Sequence, residues 1–126
     1  MSCRVLIVDD DALMRKMMSD VLTLEGYHVV GEASDGLQGV VLSRQLAPDL
    51  VLMDVMMPEL DGIEALRQIL EEAPQVRVLM VSAQEKRQVI IEALDIGARD
   101  YLVKPFPTAK LLEAVDKAME SEPENC

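Results

Sequence analysis

Asp49-Leu50-Val51-Leu52-Met53-Asp54-Val55-Met56-Met57-Pro58-Glu59-Leu60-Asp61-Gly62 is the stretch from which the fold can be read. The apolar run from Leu50 to Met53 reads as a strand buried on both faces, where no polar alternation is needed. It ends on a carboxylate, Asp54, and a loop punctuated by Pro58 and Gly62. A carboxylate at the mouth of a buried strand is either a loop cap or a reactive group. The flanking sequence decides between them.

Arg4 to Val8 is another apolar run, and Asp9, Asp10 and Asp11 follow it. Leu13, Met14, Met17, Met18, Val21 and Leu22 carry helical spacing that Gly26 closes. Tyr27 to Glu32 reads as a second, weaker strand, and a helix through Leu37, Val40, Val41 and Leu46 stops before Pro48. Beyond the quoted strand, Ile63, Leu66, Ile69 and Leu70 mark a third helix ending before Pro74. Val76 to Val81 is the fourth strand, with Ser82 at its exit. Glu85 to Ile96 is the fourth helix, and Gly97 suits its left-handed cap. Asp100 to Val103 is the fifth strand, ahead of Lys104-Pro105-Phe106-Pro107. Leu111, Leu112, Val115, Ala118 and Met119 place the last helix.

Short apolar strands joined by helices imply a parallel sheet covered on both faces, with right-handed crossovers. The expected fold is α/β, doubly wound and flavodoxin-like, with five strands in the order 2-1-3-4-5. It occupies residues 1–120, and 121–126 has no periodicity and reads as a flexible tail.

Composition narrows the function. The 126 residues carry a formal charge of −11, which disfavours the phosphates of nucleic acid. No apolar run reaches the ~18 residues of a membrane span, and no signal segment is apparent, so a cytoplasmic protein is expected. Cys3 and Cys126 lack metal-type spacing and read as reduced thiols. The nine methionines help to fill a core with 2% aromatic residues.

In the 2-1-3-4-5 order, ligands bind where the strand order reverses, between strands one and three. That brings Asp9, Asp10 and Asp54 together, with Ser82 and Lys104 across the crevice. Clustered carboxylates repel unless a cation neutralises them, and an open site of oxygen donors suits Mg²⁺. Lys104 adds an ammonium and Ser82 a hydroxyl for an anionic oxygen. Carboxylate, metal, ammonium and hydroxyl together make a phosphoryl-transfer site with Asp54 as nucleophile. Capping explains one of the three aspartates, Asp11, better than it explains all three. Asp61 and Gly62 read as loop and helix start, and His28 as a surface residue.

Val8-Asp9-Asp10, Met53-Asp54-Val55-Met56-Met57-Pro58, Asp61-Gly62, Ser82-Ala83 and Tyr101-Leu102-Val103-Lys104-Pro105-Phe106 resemble the receiver domains of two-component response regulators. The resemblance is greatest to stand-alone chemotaxis-type (CheY-like) receivers, and a receiver cut from a longer regulator is the alternative. It implies that Asp54 accepts phosphate from a sensor histidine kinase. It further implies Mg²⁺ on Asp10, Asp54 and the Met56 backbone carbonyl, with Asp9 acting mostly through water. Ser82 and Lys104 would bind the phosphoryl group, Lys104-Pro105 would be cis, and Ser82 and Tyr101 would form a switch. The implied output partner is a flagellar motor switch protein or a phosphatase. The chain is expected to be a monomer that is not a turnover enzyme.

The fourth helix carries more apolar residues than one buried stripe uses. A partner surface on the fourth helix, fifth strand and fifth helix is expected, which the resemblance places on the Ile90 flank; a wider buried stripe is the other reading. Met56 and Gln84 are expected to flank the path by which water would reach a phosphoryl group, and so to tune its lifetime. Three rivals are weaker. A haloacid-dehalogenase-type phosphohydrolase needs an aspartate where Met56 stands. A flavin protein needs a hydroxyl-rich loop after the first strand. A phosphate-independent receiver would not need the intact acidic set.

Overall fold

Strand and helix alternate five times in the computed structural model, which describes residues 3–120: β1 (Arg4–Val8), α1 (Ala12–Leu24), β2 (His28–Ala33), α2 (Gly36–Leu46), β3 (Leu50–Met53), α3 (Gly62–Glu72), β4 (Arg77–Ser82), α4 (Arg87–Ile96), β5 (Asp100–Val103) and α5 (Thr108–Ala118). The strands form one parallel sheet in the order β2-β1-β3-β4-β5, as the sequence predicts. Residues 121–126, expected as a tail, lie outside the described residues, and Cys126 with them.

Side-chain alternation along the central strands builds two cores. Leu6 and Val8 of β1 and Val51 and Met53 of β3 face α2, α3 and α4, where they meet Val40, Leu66 and Ile69. Val5, Ile7, Leu50 and Leu52 face α1 and α5, where they meet Met18, Leu22, Leu111 and Val115. Being apolar on both faces is what makes these strands continuous hydrophobic runs.

Three helices begin on aspartate caps. Asp11 accepts from the Leu13 and Met14 amides, Asp35 from Gln38 and Asp61 from Glu64. Each satisfies N–H groups that a helix start leaves unpaired. α4 and α5 begin on Lys86 and Pro107 with no side-chain cap bond. α4 therefore starts two residues later than the sequence predicts. Glu85 and Lys86 have helical composition, but the Lys86 amide is taken by the Gln84 side chain at 3.1 Å. Gly97 ends α4 at φ +133°, which justifies the glycine there.

The helical stripes are narrower than the sequence pattern implies. Leu13, Leu37 and Val41, all on predicted apolar faces, are exposed. Cys3 is a half-buried thiol that burial pushes up to about 11, so it stays protonated.

Candidate functional site

The C-terminal strand ends lie along one sheet edge, and the residues just past them are still hydrogen-bonded to the sheet. The Asp9 amide donates to the Ala33 carbonyl at 3.0 Å, and the Asp54 amide donates to the Val8 carbonyl at 3.0 Å. The Lys104 amide donates to the Ser82 carbonyl at 2.9 Å. Backbone pairing thus aims three functional side chains from rigid elements rather than from loops.

Carboxylate oxygens of Asp9, Asp10 and Asp54 all fall within 4.8 Å of one another. Asp9 is 1% exposed and Asp54 6%, while Asp10 reaches solvent. Lys104 Nζ lies 2.7 Å from Asp9 Oδ2 and 3.4 Å from Asp54 Oδ2. Asp9 Oδ1 accepts the Asp11 amide at 2.9 Å, and Asp54 Oδ1 accepts the Val55 amide at 2.7 Å. Both Asp9 oxygens are therefore engaged by the protein. The same holds for Asp54, so exposed Asp10 is the carboxylate of the three without such a contact among the described residues.

Burial raises the Asp54 carboxyl above its ordinary value, and Asp9 adds to the push. Lys104, the Ser82 hydroxyl and the Val55 N–H oppose it without cancelling it. Burial works against the Lys104 ammonium too, but the hydrogen bond to Asp9 and the charges of Asp54 and Asp9 outweigh it. Its pKa lies above the usual lysine value. Two buried carboxylates sharing one ammonium leave negative charge uncompensated, and oxygen donors of this kind fit a hard cation such as Mg²⁺.

Ser82 is fully buried, and its hydroxyl accepts the Gln84 amide at 3.1 Å. The Tyr101 hydroxyl donates to the Gln84 carbonyl, and the Gln84 side chain contacts the Met56 sulfur at 3.9 Å. Burial raises the Tyr101 phenol, so it remains a donor at neutral pH. Lys104-Pro105 is cis, as the resemblance implies. His28 is exposed and pairs in register with Arg4, at the opposite edge of the sheet.

The structure adds one contributor, Arg15, and gives Gly62 and Gln84 roles beyond those read from the sequence. Arg15, on α1, donates from Nη1 to the Asp9 carbonyl at 2.6 Å and pairs with Glu32 at 3.4 Å. Gly62 is more than a helix start, because a Cβ there would sit 1.8 Å from the Asp54 carbonyl oxygen. Gln84 links Ser82, Tyr101, Met56 and Lys86, where the sequence placed it only beside the water path. Arg15 follows Asp11 by one helical turn, which is the one local signal available.

A strand-end aspartate among two others, a lysine and a buried hydroxyl on a 2-1-3-4-5 sheet defines a phosphoacceptor class of protein. Residues 5–116 match the family model of the response regulator receiver domain. The chemotaxis protein CheY of Bacillus subtilis (strain 168) is 45% identical over 119 residues, covering 94% of this chain and 99% of its own length. The structure described as the CheX-CheY-BeF3-Mg+2 complex from Borrelia burgdorferi superposes with a TM-score of 0.92 at 35% identity, covering 94% of this chain and 90% of that one. The response regulator domain of Thermotoga maritima CheB gives 0.88 at 41% identity, covering 98% and 100%. The chain belongs to the response regulator receiver domain family. Members are phosphoacceptor switches of two-component signalling, acting between histidine kinases and output proteins, and they bind Mg²⁺ at the acidic pocket. They are signalling switches rather than turnover enzymes, which sets the phosphohydrolase reading aside.

No helix among the described residues is long and apolar enough to cross a membrane.

Proposed function

We propose that this chain is a chemotaxis-type receiver in which Asp54 takes a phosphoryl group from a histidine kinase or a small phosphodonor. The observation that carries the reading is Asp54 itself, 6% exposed at the strand-end edge of the sheet beside Asp9, Asp10 and Lys104. Asp10, Asp54 and the Met56 carbonyl would hold Mg²⁺, with Asp9 reached through water. Bound there, Mg²⁺ supplies neutralising charge for the transferred group.

An Asp54 carboxylate oxygen attacks phosphorus in line; the new O–P bond forms as the P–N bond to the donor imidazole breaks, and the imidazole keeps the electron pair and takes a proton. Lys104 leaves its shared position to pair with a phosphoryl oxygen, and the Ser82 hydroxyl donates to another. Turning Ser82 toward phosphate removes the acceptor of the Gln84 amide. Gln84 carries the Tyr101 hydroxyl bond and the Lys86 amide, so this rearrangement reaches the start of α4 and strand β5. Shifting such a two-state element from mostly off to mostly on takes ~5 kcal/mol of differential stabilisation. A new dianion among fixed charges is of that order.

The output surface is then α4, β5 and α5. Leu94, one turn after Ile90 on the same flank, is 42% exposed and Ile90 is half-buried, while the exposed Ile91 faces the α3 side beside Arg67 and Leu70. This favours a partner face over the wider buried stripe. Incubation with Mg²⁺ and acetyl phosphate should add one phosphoryl group by intact mass, and Asp54→Asn should add none. An output protein, a flagellar motor switch component or a phosphatase, should lose affinity for Ile90→Asp. Unchanged affinity with an intact fold rejects the surface. The match to a receiver described as a domain of CheB favours a second reading, a receiver within a longer regulator. The mass of the gene product isolated from cells separates the two.

A further inference from the structure

The described methionines differ sharply in access to solvent. Met18, Met53 and Met80 are fully buried, and Met14, Met17, Met57 and Met119 are partly buried. Met56 is 60% exposed, two residues beyond Asp54. Its side chain spans from the β3–α3 loop to the β4–α4 loop, where the Gln84 amide contacts its sulfur at 3.9 Å. These two loops frame the crevice over Asp54, and Gln84 is also the residue whose backbone holds Ser82 and Tyr101.

A thioether in that place is a weak acceptor and a mainly apolar cover. Oxidation by a peroxide follows exposure, and Met56 is the one exposed methionine among the described residues, so the reaction is directed there. The terminal peroxide oxygen is transferred to Sδ: the S–O bond forms, the O–O bond breaks, and water leaves. Sulfur loses two electrons and the peroxide gains them, with no change at Asp54 or Gln84. The product carries a strongly polar oxygen where an apolar group stood. That oxygen can accept from the Gln84 amide or from a water. A water attacking an acyl phosphate needs an acceptor to orient it, and the thioether offers almost none.

We propose that Met56 is a peroxide-sensitive modification site whose sulfoxide shortens the lifetime of the phosphoryl group on Asp54. The lifetime half of this rests on the phosphoacceptor reading above; the site half does not. Met18, Met53 and Met80 are shielded from the reaction, and the partly buried Met14, Met17, Met57 and Met119 stand between them and Met56 in access.

The full chain is treated with limiting hydrogen peroxide, and oxidation is mapped by peptide fragmentation that resolves Met53, Met56 and Met57. Met56 should gain its oxygen on the order of tenfold faster than the buried Met18, Met53 and Met80. Oxidation spread evenly over all of them overturns the site. Oxidised and untreated protein are then phosphorylated with acetyl phosphate and Mg²⁺, freed of donor, and followed by intact mass. The oxidised protein should lose phosphate several-fold faster, a methionine sulfoxide reductase should restore the slower decay, and Met56→Leu should decay at a rate that peroxide does not change. Equal or slower decay after normal phosphorylation overturns the lifetime claim alone. Untreated protein that gains no phosphoryl group overturns the phosphoacceptor reading and the lifetime claim with it, while the oxidation map still decides the site.

Discussion

The half of the molecule that holds Asp54 and the half that holds α4 are built differently from similar materials. Around Asp54 the flanking backbone is pinned to neighbouring strands, Gly62 is pressed against its carbonyl, and α1 and α3 start on aspartate caps. α4 fully buries only Ala93, begins without a side-chain cap and turns Ile91 and Leu94 to solvent. A phosphoryl-transfer site works by fixed geometry and tolerates little movement. An element that must respond to a ligand comes from the less stable part of a fold. Gln84 stands at the border, bonded to Ser82 on one side and to Tyr101 and Lys86 on the other.

The contrast is most easily broken at Gly62. Gly62→Ala places a methyl 1.8 Å from the Asp54 carbonyl oxygen, a backbone atom with no room to yield. It should cost about 3 kcal/mol or more in urea unfolding and abolish phosphorylation. Stability within error of the parent chain would show that the β3–α3 loop is not rigid.

Lys104→Met leaves Asp9 and Asp54 buried without their ammonium and should cost about 3 kcal/mol at neutral pH. Added Mg²⁺ should recover part of that loss by binding the folded state. Because the folded pKa of Lys104 is raised, its contribution is complete below the ordinary 10.5 and fades as pH rises through the folded value. An equal loss with and without Mg²⁺ would mean that the carboxylates do not share a cation.

Asp54 shifts stability in the same pH direction for a different reason, because here the fold disfavours the charged form. Its folded pKa is raised, so the folded chain binds a proton more tightly than the unfolded chain, and stability falls as pH rises through that window. In Mg²⁺-free buffer Asp54→Asn should be the more stable protein at neutral pH, with the gap closing toward the ordinary value of 3.8. A gap independent of pH would contradict the burial argument.

The smallest effect is expected at α4. Lys86 has the extended backbone of a cap position but no side-chain cap bond. Lys86→Asp should add about 1 kcal/mol. A gain that large would sharpen the comparison, since it identifies stability withheld from the responsive half.

Much of this was readable beforehand, and the reason is local. Strands covered on both faces advertise themselves as apolar runs, and a parallel sheet puts the residue after each strand on one edge. Asp9, Asp10, Asp54, Ser82 and Lys104 were therefore legible from periodicity and topology. Features set by distant packing were not. Nothing in the order of residues shows that Arg15 reaches the Asp9 carbonyl, that Gly62 meets the Asp54 backbone, or that Leu13 faces water. Helix propensity starts α4 two residues early, at Glu85, because it does not register that the Gln84 side chain takes the Lys86 amide.

The most direct test is chemical trapping of the site. After phosphorylation with acetyl phosphate and Mg²⁺, borohydride reduces an acyl phosphate to an alcohol, and peptide sequencing locates the residue converted. Conversion of Asp54 to homoserine, with Asp9 and Asp10 untouched, is the predicted result. Conversion at another carboxylate, or undiminished conversion in Asp54→Asn, would contradict the account.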